Sequence, residues 1–145
     1  MKGALTLMAL IIVSCKSTGT GSQQRLADED PRLTLLIQDG YLRVETPEVA
    51  VFSSQKELQA FFAKVNRTRK PGIPVPIVDF SKESVLIACL GEKAGVPKMQ
   101  VTHETATELV VGVKQVDQKE DKIPFPFCVY KIPTTGKQLE LLIMD

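Results

Sequence analysis

The chain has no tryptophan, two tyrosines, one histidine and three cysteines among its 145 residues. So few nitrogen and sulfur ligands would force a zinc site onto carboxylates, which suit that ion less well. No H-E-x-x-H, C-x-x-C, EF-hand loop or glycine-rich phosphate cradle is present. The formal net charge is only +1, and no basic stripe with interleaved aromatics marks a nucleic-acid surface. A second hydrophobic span and internal repeats are also missing. The longest apolar run, Gly3 to Val13 interrupted by Thr6, is too short for a bilayer, which needs about 20 residues.

That run does have the dimensions of a signal-peptide core, about 7–15 residues, behind the positive charge of Lys2. No Ala-x-Ala cleavage site follows. Instead Ile12-Val13-Ser14-Cys15 resembles the bacterial lipobox. In such signals the thiol is diacylated, the chain is cut before it, and cysteine becomes the lipidated first residue. The expected organisation is a lipoprotein signal over 1–14 and Cys15 with a tether over 15–30. A single domain then fills 31–145. The "KSTGTGSQQR" stretch is too polar and too rich in small residues to pack, which fits a flexible leash. Lys16, rather than Asp, after Cys15 favours outer-membrane sorting, so the expected address is the cell envelope, periplasmic or surface-exposed.

The composition of 43% apolar and 24% charged residues suits one ordinary core. "LTLLIQDGYLRVET" places Asp39-Gly40 between two β-type runs and predicts a hairpin with a tight turn. Val49 to Phe52 reads as a further strand. Ser54 and Glu57 have capping-box spacing, and Leu58, Phe61, Phe62 and Val65 form one apolar stripe at i, i+3, i+4, i+7. This predicts an amphipathic helix, with Lys64, Arg67, Arg69 and Lys70 near its end and Pro71-Gly72 stopping it. That basic cluster reads first as a solvated helix end and second as a lipid-attracting patch.

"PGIPVPIVDF" is too rich in proline for a central strand and predicts an extended surface connector. Strands are expected over 84–90, 98–103, 109–116, 127–132 and 138–143. "QVDQKEDKIP" predicts a charged hairpin loop. The fold class is α+β, a mainly antiparallel β domain of about eight short strands with one amphipathic helix.

Chemistry is sparse in this pattern. His103 in "MQVTHE" shares a strand face with Met99 and Val101, which predicts a half-buried structural histidine. Ser81, His103 and Asp79 contain the residue types of a hydrolytic triad, whose order is not fixed, but no G-x-S-x-G elbow marks a nucleophile. Asp117, Glu120 and Asp121 offer carboxylates for a weak calcium ion, interrupted by Lys119 and Lys122. Pro133-Thr134-Thr135-Gly136 reads as a turn between strands. No catalytic residue, metal or cofactor is expected. Cys89 and Cys128 sit in apolar runs, where they could pair as a disulfide or remain buried free thiols.

Several features together resemble the C-terminal domain of the protease complex subunit PrcB. They are Pro76-Ile77-Val78-Asp79-Phe80-Ser81 before "VLIACLG", the aromatic strand "PFPFCVYKIP", and the preceding Ser54-x-x-Glu57-Leu58 helix start. That family often carries a Gly-Gly-Tyr turn where this chain reads Gly91-Glu92-Lys93-Ala94-Gly95-Val96-Pro97. The resemblance implies a secreted or lipid-anchored, non-catalytic accessory subunit of a protease complex.

The expected function is therefore a non-enzymatic envelope lipoprotein that binds a protein, with a small-molecule or cell-wall-fragment module as the alternative. Expected partners are the membrane, through the lipid, and an envelope protein such as a secreted protease, but no nucleic acid. Loops on a rigid scaffold usually carry such contacts. The candidate contact residues are Gly91, Lys93, Gly95 and Pro97, and Phe125 between two prolines.

Overall fold

The computed structural model describes residues 30–92, 95–118 and 122–145. Cys15, its tether and Lys93 lie outside them, as do Glu120 and Asp121. Among the described residues no helix is long and apolar enough to cross a membrane.

Three layers make up the α+β domain. The central layer is a four-stranded antiparallel sheet in the order β1 (Thr34–Asp39), β6 (Phe127–Pro133), β3 (Glu83–Cys89), β2 (Glu48–Phe52). One face is covered by α1 (Gln55–Asn66). The other is covered by a three-stranded sheet in the order β4 (Val96–Glu104), β5 (Glu108–Val116), β7 (Gln138–Ile143), in which β5 and β7 run parallel.

This layering explains the sequence pattern of β3 and β6. A strand buried on both faces needs apolar residues at successive positions rather than alternate ones. Val85, Ile87 and Cys89 of β3 and Phe127 and Val129 of β6 face α1. Leu86 and Ala88, with Cys128, Tyr130 and Ile132, face the second sheet.

The helix forms as its sequence dictates. The Ser54 hydroxyl accepts the amide of Glu57, and the Glu57 carboxylate returns to the amide of Ser53 at 2.9 Å. Two amide groups at the start of the helix are thus satisfied. Leu58, Phe61, Phe62 and Val65 are buried, and each contributes about 1.5–3 kcal/mol by leaving water. Phe61 meets Phe52, Phe62 and Phe127 edge-on at 5.3–6.0 Å, a favoured aromatic geometry.

The proline-rich connector after α1 has no strand partner, so side-chain amides take over its backbone groups. Asn66 brackets Ile73 with two hydrogen bonds of 2.7 and 2.8 Å, and Gln55 accepts from Val78 and donates to Pro76. The connector is less superficial than its composition suggests. Ile73, Val75 and Phe80 pack on the core and Val78 is buried, while Ile77 projects into solvent, 96% exposed.

Two predicted hairpins are absent. β1 pairs with β6, not with the residues after Asp39-Gly40. Tyr41 takes a left-handed backbone with φ 65°, which ends the strand. The amides of Tyr41 and Leu42 then donate to the carbonyls of Pro124 and Phe125. The stretch "QVDQKEDKIP" also joins no hairpin, because β5 and β6 belong to different sheets.

Cys89 and Cys128 are free and buried, so no disulfide joins them. Cys128 is level with Ala88, not with Cys89. The two thiols join the cores on opposite sides of the central sheet, and side chains pointing apart cannot be bridged without moving the backbone.

Candidate functional site

Two loops that are distant in sequence meet at one end of the central sheet. The segment after β1 crosses the segment before β6, with Tyr41 N donating to Pro124 O at 2.7 Å and Leu42 N to Phe125 O at 3.3 Å. Gly40 permits this crossing. A Cβ there would overlap the Ile123 side chain and come within 2.7 Å of Pro124 O.

Tyr41 and Phe125 both have positive φ, 65° and 48°. Large side chains avoid this region, and each such residue costs on the order of 1–3 kcal/mol. They are the only described non-glycine residues with positive φ, and they flank one cleft. Tyr41 is 67% exposed, so its strain is not offset by burial. Strain of this kind clusters where a protein holds side chains out for contact.

The cleft encloses about 400 Å³. Leu42 and Val65, both buried, form its apolar lining, and Tyr41, Pro124 and Phe125 wall one side. Arg43, Lys64 and Arg67 supply three cations, and no acidic side chain lines it. The Arg43 guanidinium stacks over Phe125, 5.3 Å from the ring centre. Lys64 has a long 3.5 Å pair with Glu48. No carboxylate of a described residue pairs with Arg43 or Arg67. The adjoining Arg69 is engaged, donating to Asp39 Oδ1 at 3.0 Å and to Gly40 O at 3.1 Å. It ties the end of α1 to the turn that carries Tyr41.

A second charged cluster has a different character. Arg32 forms a two-pronged bond to Glu104 at 3.0 and 2.9 Å and also bonds Asp30, while Lys137 donates to Glu104 at 2.6 Å. Every charge in it is matched. Arg32 and then Lys137 hold the Glu104 carboxyl down at about 2, and Arg32 likewise lowers that of Asp30. This cluster fastens the start of the domain to the end of β4 and the β6–β7 turn. It has no unmet valence for a ligand.

The residues singled out in the sequence are placed unevenly. Phe125 is half-buried in the cleft wall. Gly91 is buried with φ 89°, and Pro97 is buried within β4 opposite Gln115. A Cβ on Gly95 would overlap the backbone carbonyl of Val116. Gly91, Gly95 and Pro97 therefore serve the β3–β4 connection and its packing, and among the described residues of that loop Glu92 is the exposed one. Glu92 and Gly95, together with Ile123 and Pro124, line a second cavity of about 510 Å³ that shares Pro124 with the cleft, so the two loops lie at one end of the molecule. Tyr41 and Arg43 carry no sequence signal as contact residues, and Arg67 stands in the sequence only as part of the basic helix end.

His103 is exposed rather than half-buried. A bulge between Val101 and His103 shifts the register of β4 and carries the ring off the face of Met99. The Ser81–His103–Asp79 triad is not assembled, since the Ser81 hydroxyl donates directly to Asp79 at 2.5 Å with no imidazole between them. Among the described residues no group of three or more His, Cys, Asp or Glu could hold a metal ion.

The thiols of Cys89 and Cys128 are buried and held in their protonated form. Burial, with a smaller effect of Glu48, pushes Cys89 up to about 12, and burial raises Cys128 as well. A nucleophilic cysteine needs the opposite shift.

No protein-family model, no curated protein and no solved structure matches this chain.

Proposed function

We propose that this protein is a non-catalytic lipoprotein of the bacterial cell envelope that captures a protein partner in the cleft between Tyr41 and Phe125. The observation that carries the reading is the pair of strained aromatic residues flanking a cleft whose lining includes Arg43 and Arg67, neither paired with a described carboxylate. Tyrosine and arginine are enriched among residues that dominate protein–protein binding, whereas charges left over on a surface are usually solvated. The lipobox-like Ile12–Cys15 supplies the address, and Cys15 the anchor. The PrcB-like motifs support an accessory subunit of a secreted protease complex. The domain would act by presentation, with the tether giving the cleft reach from the membrane.

A crosslinking pull-down from native envelope, with intact Cys15, tests this reading. It should recover a reproducible envelope protein, and Phe125→Ala should lose it. If Phe125→Ala leaves both stability and captured protein unchanged, the cleft is not the docking site. A second reading, a module for a small molecule or cell-wall fragment, is favoured by the cleft's volume alone, since about 300–1,000 Å³ is usual for such ligands. It predicts a saturable thermal shift with such ligands and no protein partner.

A further inference from the structure

We infer that the cleft between α1 and the crossed loops recognises a carboxylate-bearing peptide segment, with Arg43 and Arg67 as its anchors. The inference rests on the partner-binding reading and adds the chemistry of the bound group. It follows from the contrast between the two charged clusters. Around Glu104 the cations are used up by carboxylates of the chain itself. In the cleft, Arg43 and Arg67 are exposed and pair with no described carboxylate, and no acidic side chain lines the volume.

Guanidinium groups suit this task because their planar fork matches a carboxylate with two parallel hydrogen bonds. Stacking on Phe125 restricts Arg43 before the ligand arrives, which lowers the ordering cost of binding. The remaining lining sets the apolar Leu42, Val65 and Pro124 and the ring of Tyr41 beside Lys64 and Thr68. A carboxylate flanked by aliphatic groups meets both halves of this surface. An anionic membrane needs neither a cleft nor aromatic walls, and with Arg69 engaged by Asp39 the exposed cations Arg43, Lys64, Arg67 and Lys70 reach only the lower limit of the roughly 4–8 of a lipid-binding cluster.

The test uses the full chain in nonionic detergent and short peptides carrying an uncharged dye. One peptide has aliphatic residues, internal Glu and a free C-terminus. The second is amidated, and the third has Gln in place of Glu. Saturable fluorescence anisotropy is expected for the first, with binding weakened roughly tenfold or more when the recognised carboxylate is removed. Comparing the amide with the Gln peptide tells a terminal carboxylate from a side-chain one.

Arg43→Gln and Arg67→Gln should each weaken binding several-fold while thermal unfolding is unchanged, because both residues are exposed. Arg43→Lys should recover only part of it. Equal binding of all three peptides, or no effect of either Gln variant, overturns the inference. So does Arg43-dependent binding to phosphatidylglycerol vesicles without binding to any peptide. If Phe125→Ala abolishes envelope capture while both Arg→Gln variants retain it, carboxylate recognition fails and partner binding stands.

Discussion

Tyr41 and Phe125 lie on segments far apart in sequence, yet the Tyr41 amide bonds the carbonyl just before Phe125 and both residues adopt a left-handed backbone. One crossing thus imposes two unfavourable conformations and sets two aromatic side chains around one cleft. The rest of the domain holds this arrangement in place: Arg69 just past the end of α1, the close approach at Gly40, and the β1–β6 pairing.

Replacing Tyr41 separates contact from stability. Tyr41→Gly relieves a strained backbone and removes little buried surface, so stability should hold or rise by about 1 kcal/mol. Partner capture should fall. Urea unfolding alongside the pull-down checks both, and a fall in stability beyond about 1 kcal/mol would mean that Tyr41 is a packing residue.

Gly40→Ala should do the reverse of a surface change. Its Cβ would be driven into Ile123 and Pro124 O, forcing the crossing apart. A loss of about 1–3 kcal/mol is expected, the usual scale for strain forced into a packed site. Partner capture should weaken with it.

The Glu104 cluster predicts an acid-sensitive element. Folding lowers this carboxyl from its ordinary 4.5 to about 2 through Arg32 and then Lys137. The unfolded chain therefore takes up the proton first, so the contribution is complete above 4.5 and is lost as pH falls towards 2. The urea midpoint of the native chain should drop more steeply across that window than that of Glu104→Gln. Parallel curves would show that the cluster does not contribute.

Cys89 and Cys128 should resist alkylation by iodoacetamide at about pH 8 in the folded protein and react fully in denaturant. Peptide mass mapping should find no linkage between them. Modification of either thiol in the native state would contradict their burial.

Much of the fold was legible because local pattern and burial agree. Ser54, Glu57 and the stripe from Leu58 to Val65 specify α1 without reference to the rest of the chain. The uninterrupted runs "VLIAC" and "FCVY" mark strands covered on both faces. The missed features are non-local. Asp39-Gly40 does mark the end of a strand, but whether the chain folds back on itself or crosses Pro124 depends on a partner far along the sequence. His103 follows alternation until a bulge breaks it. Phe125 could be singled out by its flanking prolines, whereas Tyr41, Arg43 and Arg67 became a site only when the crossing brought them to it. Cys89 and Cys128 look available for pairing until register assigns them to opposite faces.

The most direct measurement places a photo-crosslinking amino acid at position 41, at position 125, and at position 142 as a control, in cells carrying the full lipoprotein. Leu142 is exposed on β7, away from the cleft. The account predicts the same discrete envelope-protein adduct from positions 41 and 125 and none from 142. Equal adducts from all three positions, or none from 41 and 125, would contradict a docking site between Tyr41 and Phe125.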